Sequence, residues 1–334
     1  MTQFTGDRAR ISRRRVISII AATVAAGAVP RLAYGRQAQT FMWRGVALGA
    51  EASLTLQHPD EGEARAAIEA CLAEVARLEE VFSLFRPGSA LQRLNASGRL
   101  EEAPADLRIL LAEALQIAGQ SNGSFDPTIQ PLWALYSRHF SDPVANKEGP
   151  GECDIQAALQ SAGWRSVEIS GAAIYFRKPG MAVTLNGIAQ GYITDKVGDL
   201  LRARGFSNVL VNMGEQLALG SQWDGNAWSV GIADPADPER VIERVSLASG
   251  AIATSGGYGC RFDAAGRFTH ILDPRTGRPA RQWASMSVVA ERATLADGLS
   301  TALSVVPPAM ARGLLGSTAR AFVVPLDDGA GRWL

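Results

Sequence analysis

Residues 61–85, EGEARAAIEACLAEVARLEEVFSLF, set the first constraint on what this chain can fold into. Ile68, Leu72, Val75, Leu78 and Phe82 recur at three- and four-residue spacing, which predicts an amphipathic helix with a single apolar stripe. Such a stripe has to be buried against another element. ADLRILLAEALQIAGQSNG (105–123) predicts a second helix of the same kind, ended by Gly123. Strand-like runs surround these helices. VALGAEASLTLQ comes before the first; SVEISG, AIYFRK, NVLVNMG, WSVGIAD, ERVSLASG, AIATSG, RFTHILD, SMSVVAE and AFVVPL follow the second. MAVTLNGIAQGYITDKVGDLLRARGF reads as strand, glycine turn and long helix, and shorter helices are expected near 154–162, 294–305 and 308–316. Helices and strands interleave without regular β-α-β alternation, so the expected class is α+β with largely antiparallel sheets. No repeat or linker interrupts the pattern, and residues 36–334 are expected to form one domain.

The first 35 residues read differently. SRRRVIS (12–18) precedes an apolar run of 14 residues, VISIIAATVAAGAV, with small residues Ala33 and Gly35 at cleavage spacing. A run this short suits a signal peptide better than a membrane span. The arginines resemble a twin-arginine export address, with an ordinary secretory signal as the alternative. Residues 1–35 are therefore expected to be an export signal read by the twin-arginine machinery, and the protein to act in the periplasm. Without them the chain carries 27 Lys and Arg against 32 Asp and Glu, although the whole is neutral. A mildly acidic body argues against nucleic acid as partner. Three cysteines and three histidines exclude a full disulfide framework and a histidine-rich metal cluster.

Chemistry concentrates in a few short stretches. LNGIAQG (185–191) puts Asn186-Gly187 between strand and helix, either to let backbone amides approach a phosphate or to make a tight turn. GSFDPTIQPLW (123–133) and FSLFRPGSALQRLN (82–95) each end a helix in a proline turn. ATSGGYG (253–259) and THILDPRTGRPA (269–280) bring Thr254, Ser255, His270, Asp273 and Arg275 into one polar, glycine-rich region. His270 is the candidate proton acceptor there, or else a strand histidine bonded to a neighbouring loop. No G-x-S-x-G elbow supports a serine hydrolase. TLADGLSTALSV (294–305) sets Asp297, Ser300 and Thr301 at helical spacing, as a helix start capping its own backbone or as half of a metal site.

Taken in order, FSLFRPGSALQRLN, GSFDPTIQPLW, LNGIAQGYITDKVGDLL, LVNMG, AIATSGGYG, THILDPRTGRP and SVVAERATLADGLSTAL resemble the ApbE family, the FAD:protein FMN transferases, over nearly all of the mature chain. The resemblance implies a bilobed, T-fold-like α+β architecture with FAD bound as substrate in a cleft and Mg²⁺ on its pyrophosphate. It implies transfer of FMN through its phosphate to a Thr or Ser hydroxyl of a membrane or periplasmic flavoprotein, with AMP released. Some relatives instead hydrolyse FAD to FMN and AMP, and flavin binding without catalysis is a third reading. Carried onto this chain, the metal ligands would be the Gly187 carbonyl, the Asp297 carboxylate and the hydroxyls of Thr301 and Ser300, a hard oxygen set of the kind Mg²⁺ prefers. Leu48, Phe85, Ser124, Phe125, Asp126, Thr184, Gln190 and the backbone near Leu272 would line the flavin cleft, and His270 would be the general base. Thr184 stands where the family commonly has Asp, and Gln190 where it has Lys or Glu. Leu48-Gly49-Ala50 replaces Met-Gly-Thr, Phe85 replaces Tyr, and Met213-Gly214-Glu215-Gln216 replaces a Gly-Gly-Asp pattern.

Overall fold

The computed structural model describes residues 39–47, 49–327 and 330–334. The export signal expected over residues 1–35, and Leu48, lie outside them. The chain opens with the hairpin β1 (Gln39–Ala47) and β2 (Ala50–His58), then the stripe helix α1 (Glu61–Phe82) and the short α2 (Ala90–Ser97). β3 (Arg99–Leu100), α3 (Ala105–Gln120), α4 (Gln130–Ser141) and α5 (Glu152–Gln160) lead to a second hairpin, β4 (Val167–Ser170) and β5 (Ala173–Phe176). Next come α6 (Ala189–Ala203), β6 (Val209–Asn212), β7 (Gln216–Leu219), a third hairpin of β8 (Trp228–Ala233) and β9 (Val241–Leu247), and β10 (Gly250–Gly256). The two-residue β11 (Leu272–Asp273) and β12 (Arg278–Pro279) precede β13 (Trp283–Ala290), α7 (Ala293–Leu303), α8 (Pro308–Leu315), β14 (Ala319–Pro325) and β15 (Arg332–Trp333).

Eight strands form one sheet in the order β1-β2-β6-β7-β10-β13-β14-β15, antiparallel at every pair. Side chains alternate between its faces. On one face Leu54, Val211 and Leu217 pack against Ile68, Val75 and Leu78 of α1 and Ile193 and Val197 of α6. Further along the same layer, Met286, Val288 and Val323 meet Leu299 and Leu303 of α7. The intervening residues Ile252, Phe322 and Val324 lie under the β8–β9 hairpin, against Trp228, Val230 and Val245. The expected α+β class with antiparallel sheets is what the chain adopts. Among the described residues no helix is long and apolar enough to cross a membrane.

Two expected strands are not strands. MAVT runs irregularly, because the Asn95 side chain of α2 takes over the ladder's role: its amide donates to the Val183 carbonyl at 2.8 Å, and its oxygen accepts from the Val183 N–H at 2.8 Å. RFTHILD keeps one antiparallel bridge, Arg261 to Thr269, and only its last two residues belong to β11. That segment is held instead by aromatic packing: the Phe268 ring centroid lies 6.0 Å from that of Tyr136 and 4.8 Å from that of Phe140, both on α4. The Tyr136 hydroxyl donates to the Gly277 carbonyl at 2.9 Å, tying the turn after β11 to α4.

Candidate functional site

The start of α6 and the middle of α7 approach unusually closely, and glycines allow it. A methyl group on Gly191 would lie 2.3 Å from the Ala293 carbonyl oxygen and 2.8 Å from Asp297 Cβ. One on Gly187 would meet Thr301 Oγ1 at 2.8 Å. The two helices also exchange carboxylates. Asp195 of α6 accepts from the Ala293 and Thr294 N–H groups at 2.8 and 2.9 Å, capping the first turn of α7. Asp297 of α7 accepts from the Gly191 N–H at 2.9 Å, in the first turn of α6. Each carboxylate thus meets the positive end of the partner helix. The expectation that Asp297 sits at its own helix start is corrected: it is the fifth residue of α7, whose cap comes from Asp195.

Around this contact the structure gathers three of the four proposed metal ligands and the backbone of the fourth. Thr301 Oγ1 donates to the Gly187 carbonyl at 3.3 Å, and Ser300 Oγ donates to the Asp297 main-chain carbonyl at 2.9 Å. Ser255, from the end of β10, bonds both hydroxyls, at 2.7 Å to Ser300 and 3.2 Å to Thr301. Glu215, from the turn between β6 and β7, is a second buried acid; it accepts from the Thr254 N–H at 3.2 Å. Neither Asp297 nor Glu215 has a salt bridge among the described residues. Burial raises the Asp297 carboxyl to about 7, opposed by the Gly191 N–H and reinforced by the Asp195 charge. Burial, and then the charge of Asp297, hold Glu215 well above the carboxylate range, with the Thr254 N–H opposing.

Two desolvated acids, one of them held protonated in part by the charge of the other, are the environment a divalent cation relieves. Among the described residues no three His, Cys, Asp or Glu side chains converge as a metal cluster. The available donors are one carboxylate, hydroxyls and a carbonyl, a set that suits a hard cation completing its shell with water or phosphate oxygens. The residues therefore fit Mg²⁺.

The remaining predicted residues lie on several separate segments. Ser124 and Phe125 are buried in the turn after α3, where the Phe125 N–H donates to Ser121 Oγ at 3.0 Å. Asp126 there accepts from the Thr128 N–H and hydroxyl at 2.8 and 2.6 Å and from the Trp164 N–H at 3.2 Å, and burial raises its pKa against those donors. The Thr184 N–H donates to the Pro127 carbonyl at 2.7 Å, joining this turn to the glycine loop that ends in Gly187. Gln190 folds over the β6–β7 turn, where a methyl group on Gly214 would meet its Nε2 at 2.5 Å. Phe85 is 78% exposed on the loop after α1. Leu272 is buried against Leu132 and Tyr136, and its backbone pairs with Pro279 of β12.

His270 is half-buried. Its Nδ1 lies 3.0 Å from the Cys260 carbonyl, which can only accept, so the proton resides on Nδ1 and Nε2 carries the lone pair. Burial lowers its pKa below the usual histidine value, opposed by that carbonyl. The segment carrying it leans on the end of β10: a methyl group on Gly259 would stand 3.7 Å from His270 Cε1, and one on Gly257 would stand 2.9 Å from Thr269 Cγ2. Sequence reasoning passed over Glu215 and Asp195 as site residues and left Ser255 without a role. A single acid at a glycine turn or inside a helix carries no local signal, because its partners lie about 80–100 residues away.

A family model described as ApbE family matches residues 48–323. A protein from Treponema pallidum (strain Nichols) described as FAD:protein FMN transferase is 34% identical over 263 residues, covering 73% of this chain and 72% of its own. One of the same description from Vibrio cholerae serotype O1 is 33% identical over 237 residues, covering 68% of this chain and 70% of its own. The apo crystal structure of Pseudomonas stutzeri flavinyl transferase ApbE superposes with a TM-score of 0.77 at 28% identity, over 89% of this chain and 95% of that one. The match spans the glycine loop, the α6–α7 contact and the His270 segment alike, and the chain belongs to the ApbE family.

Proposed function

We propose that this protein is an exported, Mg²⁺-dependent FAD:protein FMN transferase. The observation that carries the reading is the convergence of the Gly187 carbonyl, the Asp297 carboxylate and the Thr301 hydroxyl at the α6–α7 contact, in a chain of this family. Asp297, Thr301 and the Gly187 carbonyl would hold Mg²⁺. When bound, that ion neutralises charge building on the FAD pyrophosphate.

The chain's own groups do the rest. The turn at 124–128 and Thr184, bonded to each other through Pro127, support the flavin side of the substrate. The depressed pKa of His270 keeps its imidazole neutral near pH 7, with Nε2 available to take the proton from an acceptor Thr or Ser hydroxyl. The hydroxyl oxygen forms a bond to the FMN phosphorus, the bond to the AMP phosphate breaks, and AMP leaves with the electron pair. Fixing His270 Nδ1 on a carbonyl orients the base before substrate arrives. Action in the periplasm, with the twin-arginine machinery as the export route and a periplasmic or membrane flavoprotein as acceptor, is supported by the Arg13–Arg15 run and the short apolar stretch behind it.

Incubation with FAD, Mg²⁺ and a threonine-bearing acceptor should yield a covalent fluorescent adduct, and Asp297→Ala should abolish it. AMP release without adduct would replace transfer with FAD hydrolysis; intact FAD would leave a flavin-binding protein.

A further inference from the structure

Ser255 has no part in the mechanism above, yet it touches both hydroxyls of α7. Its Oγ lies 2.7 Å from Ser300 Oγ and 3.2 Å from Thr301 Oγ1. Each hydroxyl owns a single proton. The Ser300 proton is committed to the Asp297 main-chain carbonyl at 2.9 Å. In the 2.7 Å contact Ser255 is therefore the donor and Ser300 the acceptor. Ser255 keeps its own lone pairs, so the Thr301 proton has two acceptors within reach: the Gly187 carbonyl at 3.3 Å and Ser255 Oγ at 3.2 Å. A cation drawn to the Gly187 carbonyl and the Thr301 oxygen would repel that proton from the carbonyl. Ser255 is the acceptor that remains.

We propose that Ser255 is a positioning residue for the cation site. Thr301 donates to Ser255, Ser255 donates to Ser300, and Ser300 donates to the Asp297 carbonyl, a one-way relay that turns the Thr301 lone pair toward the cation. Ser300, fully buried and committed as donor and acceptor, is then an orienting group rather than a ligand. The proposal rests on the Mg²⁺ reading of the preceding subsection. Groups that orient metal ligands in this way typically change metal affinity by 10–100-fold when removed.

The test titrates Mg²⁺ into the protein with FAD present, reading flavin fluorescence before turnover, alongside the melting temperature without Mg²⁺ or FAD. Ser255→Ala should raise the Mg²⁺ midpoint about 10-fold or more and leave the metal-free melting temperature unchanged. Ser300→Ala should shift the midpoint in the same direction by a similar factor, and Ser255→Thr, which keeps the hydroxyl, should restore it. Asp297→Ala should remove the Mg²⁺-dependent phase. A wild-type midpoint in Ser255→Ala, with the phase lost in Asp297→Ala, overturns the relay and leaves the metal site standing. Loss of the phase in Ser300→Ala as complete as in Asp297→Ala makes Ser300 a ligand and also overturns it. Weakened binding in both the Ala and Thr variants with a lowered melting temperature assigns Ser255 to packing. If Asp297→Ala retains the wild-type midpoint, the Mg²⁺ reading itself fails and the relay with it.

Discussion

Asp297 caps the neighbouring helix from a fully desolvated position. One carboxylate oxygen accepts from Gly191, while burial and the charge of Asp195 disfavour its ionisation. The consequence has a definite sign. Its pKa rises from 3.8 in the unfolded chain to about 7 in the folded one, so the folded state binds the proton more tightly. Its stabilising contribution is complete below about pH 4 and is lost as pH rises toward 7. In Mg²⁺-free buffer the melting temperature of the wild type should therefore fall relative to Asp297→Asn between pH 4 and 7, and added Mg²⁺ should reverse the trend. A difference that stays flat with pH would mean that Asp297 is not held as an unpaired buried acid. His270 makes a separate prediction. With its pKa depressed, the acid limb of the rate profile should lie below the ordinary histidine range. His270→Gln should remove that limb and reduce kcat about 10²–10⁴-fold, as measured by AMP release across pH.

At the scale of elements, the α6–α7 contact decides whether the site exists. The glycine of LNGIAQG that matters for packing is Gly191, in ordinary helical backbone, because it admits the Ala293 carbonyl at a distance no side chain permits. Gly191→Ala should force the helices apart, cost about 1–3 kcal/mol of stability and weaken Mg²⁺ binding in parallel, checked by denaturant unfolding and Mg²⁺ titration. Unchanged stability would show that the contact is looser than the geometry implies. The helices themselves were legible in the sequence, since the Ile68–Phe82 stripe and the apolar positions of residues 105–120 are local patterns. The misread stretches are those whose backbone is satisfied from afar. MAVT has strand composition, but Asn95 holds Val183; RFTHILD alternates like a strand, but rings from α4 anchor it.

Across the whole molecule, one antiparallel sheet covered on both faces carries the site where β10 ends beside the α6–α7 contact. The candidate residues are scattered from 48 to 301, and no local pattern says that they meet. Ordered motifs supplied Gly187, His270, Asp297 and Thr301 through the family resemblance. Glu215 and Asp195 became visible only once the chain was folded, since each acts on a group about 80–100 residues distant. The same assembly brings Gln190 and the Met213–Gln216 turn together: the side chain of one rests on the glycine of the other. Such an arrangement is built to transfer FMN rather than merely to hold or cleave FAD. Intact-mass measurement of a threonine-bearing acceptor, with AMP quantified in the same reaction, tests it most directly. One FMN should be added per AMP released, with both lost on omission of Mg²⁺ or in Asp297→Ala. AMP accumulating while the acceptor mass stays unchanged would contradict it.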